Sequence, residues 1–243
     1  MMSLEFCNVN GFCNVRKNAF TLAEVLITLG IIGIVAAMTI PNLVNDYNNN
    51  HFSELFKDTY SKLSQVSMTI ASENGDSMET FYASGTNAQK VFDEFSKHLK
   101  FSKVCGLFDA NGGCFHSTVR SQLNGNPSSY PHSGYSQSPG WATGILTNGV
   151  SIAFRDNNRN SCKNNRGDGV LTFCDSIEID VNGPKLPNKL GRDVFSMNVL
   201  KNGRIDPSGA HISAEDLEAS CNVVTGPGHG CSYRVITEGK QNY

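Results

Sequence analysis

Residues Arg16–Asn42 read RKNAFTLAEVLITLGIIGIVAAMTIPN. From Phe20 to Ile40 the stretch holds Thr21, Glu24 and Thr28 but no lysine or arginine. As a helix rising about 1.5 Å per residue it spans a hydrocarbon core of about 30 Å. Arg16 and Lys17 stand directly before it, and no comparable basic cluster follows. The positive-inside bias then leaves the N-terminus in the cytoplasm and sends everything beyond Pro41 outward. A secretory signal peptide also has a charged start, but its apolar region is shorter, and no small-x-small cleavage site is evident after Ile40.

Glu24 is the odd residue of this run. A carboxylate at the centre of a membrane helix costs about 2.5–3.5 kcal/mol, and less near an end. It either sits at the interface and is tolerated there, or it has a partner, such as a cationic amine brought to the same depth by a neighbouring chain. Gly30, Gly33, Ala36 and Ala37 recur at helical spacing and let helix backbones approach closely.

Beyond Pro41 the helical pattern continues. Leu43, Tyr47, Phe52, Leu55, Phe56, Tyr60, Leu63, Val66 and Ile70 recur three and four residues apart, one apolar stripe against a polar face. Pro41 removes one backbone hydrogen bond and is expected to kink the junction, and Asn48-Asn49-Asn50 is a place for the helix to loosen. A second, shorter helix is expected over Asn87–Leu99. His116–Gly140 is rich in Ser, Gly, Pro, Asn and Tyr and is expected to run over the surface without regular structure. WATGILTNGVSIAF reads as two strands joined at Asn148-Gly149, SIEIDV alternates with period two, and DVFSMNVLKNGRI turns at Asn202-Gly203. The fold class is α+β: a long N-terminal helix, half in the membrane and half amphipathic, laid on an antiparallel sheet of about four strands.

The chain has 243 residues, of which 39% are hydrophobic, and a net charge of −2, enough for one real core. Its basic residues are scattered, so no phosphate-tracking surface is expected and nucleic acid is not a partner. Six histidines are dispersed, and no H-E-x-x-H, G-x-S-x-G or Walker A pattern occurs, so the chain is not read as an enzyme. Gly226–Gly230, GPGHG, lies between two cysteines rather than between a strand and a helix, so it is not a phosphate cradle. Trp141 reads as a core residue or as part of a ligand-contact surface.

AFTLAEVLITLGIIGIVAAMTIP resembles the N-terminal cleavage and methylation motif of type IV prepilins and type II secretion pseudopilins. The resemblance implies a pilin-like fold, a cut between Ala19 and Phe20 by a prepilin peptidase, and methylation of the new Phe20 amine. Thr21 and Leu22 fill the recognition sequence, Glu24 is the assembly carboxylate and Pro41 the helix bend. Ala19 departs from the glycine usual before the cut. Glu24 would then pair with the Phe20 amine of an adjacent subunit and set the axial register. The organisation implied is a cytoplasmic leader (1–19), a transmembrane and filament-core helix half (20–41), an amphipathic half (42–72) and an extracytoplasmic head (73–243). The partners implied are homologous pilin subunits, the peptidase, inner-membrane assembly proteins and the membrane itself. The location implied is the inner membrane in single-pass form, then a periplasmic or cell-surface filament. The alternative is a membrane-anchored extracellular ligand-binding or adhesion protein that does not polymerise.

Cys7 and Cys13 fall in the leader, whereas Cys105, Cys114, Cys162, Cys174, Cys221 and Cys231 fall in the exported part. They form three sequence-local pairs, and nearest-neighbour disulfides are expected among about 15 possible connectivities. No C-x-x-C supports zinc. Asp180-Val181-Asn182-Gly183 opens like a calcium loop without its closing glutamate, and from the residues alone it reads first as Asx-turns holding a strand connection. The family adds that some pseudopilins bind calcium between head strands, so Asp180, Asn182 and Asp193 are carried as calcium ligands. Asp156, Asn158 and Asn160 form a second, weaker oxygen-rich stretch.

Overall fold

The computed structural model describes residues 6–7, 13–14, 20–83, 87–107, 113–116, 121–128, 141–155, 162, 164–165, 172–241 and 243. Ala19, the Asp156–Asn160 stretch and much of 116–140 lie outside them. The chain divides into two compact units between Tyr47 and Asn48.

In the first unit, β1 (Phe6–Cys7) and β2 (Cys13–Asn14) pair antiparallel. Helix α1 (Leu22–Glu73) begins here, with Pro41 and the Asn48–Asn50 triplet inside its bounds. In the triplet Asn49 offers its carbonyl to the Ser53 hydroxyl at 2.8 Å. Leu26, Ile27, Ile31, Ile32, Ile34 and Met38 are all more than half exposed. Among the described residues, α1 holds the one segment long and apolar enough to cross a membrane.

The second unit places the rest of α1 against a sheet. Phe56, Leu63 and Ile70 are fully buried, with Phe52, Val66 and Ala71 beside them. Each fully buried side chain of this size contributes about 1.5–3 kcal/mol. The apolar stripe therefore starts burying at Phe52, not at Leu43: Leu43 and Tyr47 are 70% and 68% exposed. Periodicity reports which face is apolar, whereas burial needs a surface opposite it.

Helices α2 (Met78–Ala83) and α3 (Ala88–Ser96) follow, the latter capped by the Asn87 side chain accepting from the Lys90 N–H. Strands β3 (Phe101–Leu107), β4 (Trp141–Leu146), β5 (Ser151–Arg155), β6 (Asn164–Asn165), β7 (Thr172–Asp180), β8 (Val194–Leu200) and β9 (Ile205–Pro207) complete the sheet. Its order is β3-β4-β5-β7-β8-β9, with β6 beside β7, and every pairing is antiparallel. The hairpins expected at Asn148-Gly149 and Asn202-Gly203 are present. The sheet exceeds the four strands expected by β3, β6 and β9, whose signals are weak: β3 is an edge carrying Lys103 and a broken alternation, β6 has two residues, and β9 is an edge of three ending at Pro207.

Alternation sets the two faces. Ile152, Phe154, Ile177, Ile179, Phe195, Met197 and Val199 point toward the helices and are buried. Phe56 stacks on Phe195 with ring centroids 4.2 Å apart, and Phe95 meets Phe154 at 4.7 Å. Trp141 is 2% exposed and packs with Cys114, Phe115 and Ala153, so it is a core residue.

Two short helices close the unit, α4 (Ala214–Ser220) and α5 (Cys231–Glu238). The 116–140 stretch is not wholly irregular: Ser121 bridges both Pro127 and Lys189.

Candidate functional site

Two places bring the chemically distinctive residues together. The first is the start of α1. Thr21 offers its main-chain N–H and its hydroxyl to Glu24 Oε2, both at 2.9 Å, and its hydroxyl oxygen accepts from the Glu24 N–H at 3.2 Å. This is a reciprocal capping box, which satisfies donors that the first turn of a helix otherwise leaves open. The T-x-x-E spacing was present in the sequence as its signal. Both side-chain bonds fall on the same carboxylate oxygen. Phe20 and Leu22, beside the pair, are 82% and 81% exposed. Pro41 lies inside the helix.

The second place is the connection from β7 to β8. Asp180, the last residue of β7, and Asp193, the residue before β8, are both fully buried. Asn182 links them: its N–H donates to Asp180 Oδ1 at 3.3 Å and its side-chain amide to Asp193 Oδ2 at 3.1 Å. Asp193 also accepts from the N–H groups of Asn188 at 2.7 Å and Lys189 at 2.6 Å. The structure thus gathers Asp180 and Asn182 of the D-x-N-G opening with Asp193, which the family resemblance added to them. It adds the Asn188 and Lys189 amides, which carry no side-chain signal.

Electrostatically the pair is unbalanced. Burial pushes the Asp180 carboxyl well above its ordinary range, and the nearby Asp193 charge pushes it the same way. Burial also raises Asp193, against the opposing effect of its N–H donors. Asp180 Oδ2 and Asn182 Oδ1 are buried and accept no hydrogen bond among the described residues. Orphaned buried acceptors beside a second carboxyl form an oxygen-rich site, the donor chemistry that a hard cation takes.

The six cysteines beyond residue 100 pair as neighbours: Cys105–Cys114, Cys162–Cys174 and Cys221–Cys231. The last encloses α5's first residue and the glycine-rich stretch, where the structure reveals the purpose of the glycines. A Cβ on Gly228 would lie 2.4 Å from the Leu190 carbonyl oxygen, so this loop is packed directly against the β7–β8 connection. Glu73, Glu94 and His98 also converge near the end of α1, but Glu94 is already paired with Lys97 at 2.7 Å.

Residues 14–40 match the prokaryotic N-terminal methylation motif. No curated protein and no solved structure matches the chain.

Proposed function

We propose that this chain, which carries the N-terminal signature of type IV pilins and pseudopilins, is a pseudopilin or minor pilin. It is a structural subunit rather than an enzyme, assembled through α1 into a type II secretion or type IV pilus-like filament. The carrying observation is a single carboxylate, Glu24, at the head of an apolar helix segment that buries none of its residues and coincides with the methylation motif.

The physical sequence runs as follows. The precursor stands in the inner membrane with its head outside, and the capping box gives Glu24 internal hydrogen-bond partners while the helix is solitary. Cleavage after Ala19 creates an α-amine at Phe20. In the filament that amine meets Glu24 of the neighbour, and the small residues at Gly30, Gly33, Ala36 and Ala37 let the helices close together. The buried charge is then compensated at one axial stagger only, which makes the pair a register device.

N-terminal mass spectrometry of the membrane-fraction protein tests this. Methyl-phenylalanine from Phe20 is the expected first residue. A chain that keeps residues 1–19 fits instead the non-polymerising membrane-anchored protein, which needs no new N-terminus.

The β7–β8 connection is proposed to hold a calcium ion through Asp180, Asn182 and Asp193. The cation would supply the positive charge that two buried carboxylates lack, and so fix the connection. A ligand present at a hundred times its Kd stabilises by about 2.7 kcal/mol, and about 2–4 °C accompanies each kcal/mol in a chain of this size. Chelator is therefore expected to lower the Tm of the full-length protein in detergent by about 5 °C or more. An unmoved Tm removes calcium from the proposal.

A further inference from the structure

The connection that carries Asp193 is held from an unexpected direction. The Gln241 side-chain amide donates to the Arg192 carbonyl at 2.6 Å, and the Tyr243 hydroxyl donates to the Gly191 carbonyl. These contacts span 49 and 52 residues of chain. Both carbonyls belong to the turn in which Arg192, Asp193 and Val194 all donate to the Lys189 carbonyl, at 3.1, 3.2 and 3.1 Å. That turn aims the Asp193 carboxylate at the Asn188 and Lys189 amides and at Asn182.

The holding segment is itself fixed. Gln241 is buried, and the Tyr243 ring packs against Leu123, Cys221 and Cys231 with the Arg234 guanidinium 5.5 Å from its centroid. Gly191 stands at φ +77°, and a Cβ there would meet Cys231 Sγ and the Gly228 carbonyl, each at 3.0 Å. The turn thus lies between the disulfide on one side and the two donors on the other. A cation ligand needs its carboxylate aimed in advance; the Gly191 N–H is tied to the Val194 carbonyl of β8 at 2.9 Å, and Gln241 and Tyr243 hold the Arg192 and Gly191 carbonyls of the same turn.

We infer that Gln241 and Tyr243 are positioning residues for a divalent-cation site at Asp180, Asn182 and Asp193, so that the site's affinity depends on a segment about fifty residues away. The inference rests on the calcium reading above. Neither side chain touches the cation; they hold the backbone on which Asp193 rides. The Cys221–Cys231 loop backs the same turn, so the disulfide and the cation stabilise one structural unit.

The test is calorimetric titration of the full-length protein in detergent with calcium chloride. The variants are Tyr243→Phe, which removes only the hydroxyl, and Gln241→Ala. Tyr60→Phe is the matched control, because it deletes a hydroxyl bonded to a main-chain carbonyl, that of Ile205 at 3.1 Å, far from the turn in sequence. Losing an outer-shell hydrogen bond typically weakens metal affinity about 10–100-fold. Tyr243→Phe and Gln241→Ala are each expected to raise the calcium Kd by about tenfold or more, with Tyr60→Phe at the wild-type value. Variants that bind as tightly as wild type, or a control that weakens equally, overturn the positioning role while leaving the cation site in place. A wild-type protein that takes up no calcium overturns the cation site and the positioning role together.

Discussion

Thr21 and Glu24 carry a division of labour that a single residue could not. The capping box satisfies the first turn of α1 and places the carboxylate at the helix start, with both of its bonds on Oε2. In the proposed filament Oε1 stays available for the neighbour's amine. Glu24→Ala should therefore leave membrane insertion intact and abolish assembly, since losing one partner of a buried charge pair costs about 3–5 kcal/mol. Sedimentation of cross-linked filaments from membranes reads this directly, and normal filaments from the variant would refute the role. The same logic of partnered and orphaned oxygens applies in the head. Among the described residues Asp180 and Asn182 each keep one buried acceptor unbonded, whereas Asp193 accepts from Asn182, Asn188 and Lys189.

At the scale of elements, α3 and the β3–β4 edge show how closely the head is packed. Gly144 on β4 faces Phe92 and Phe101, whose rings lie 4.7 Å apart. A Cβ at Gly144 would stand 2.7 Å from Phe101 and 2.8 Å from Phe92. These are rigid rings in a filled core rather than flexible chain ends, so Gly144→Ala should destabilise by about 1–3 kcal/mol. A thermal melt is expected to fall by several degrees, and a Tm within about one degree of wild type would contradict this packing. The elements differed in how openly their residues announced them. Strands β4 and β5 are short apolar runs joined at Asn148-Gly149, β7 alternates, and β8 turns into β9 at Asn202-Gly203, so local chemistry specified them. Strand β3 does not alternate, because an edge strand is covered on fewer sides. Helix α4 carries a Ser213 cap that accepts from the Asp216 N–H at 3.0 Å, yet it buries no residue and so lacks the apolar stripe that identifies a helix.

Across the whole molecule, stability should depend on alkaline pH through two phenols, the buried Tyr82 and the half-buried Tyr243. Burial raises Tyr82 well above its ordinary value of 10.0, and the charge of Asp175, which accepts its hydroxyl at 3.1 Å, raises it further. Burial raises Tyr243 as well, with Arg234 and Arg192 opposing. The unfolded chain ionises these groups near pH 10 while the native state keeps them protonated, so stability is full below about pH 10 and falls as pH rises beyond it. Tyr82→Phe should flatten that fall in a urea midpoint series while costing about 1.5–3 kcal/mol at neutral pH, the usual worth of a hydrogen bond to a charged group. An unchanged alkaline slope in the variant would refute the assignment. The apolar segment, its lone acid, the hairpins and the three disulfide pairs followed from the sequence alone, because each rests on spacing within a few residues or on the nearest cysteine. Only the tertiary structure decided which half of the apolar stripe is covered, that Asp180 and Asn182 keep oxygens unpartnered among the described residues, and that Gln241 and Tyr243 hold the turn before Asp193. Those depend on which surfaces meet across long stretches of chain, and no local periodicity encodes that meeting.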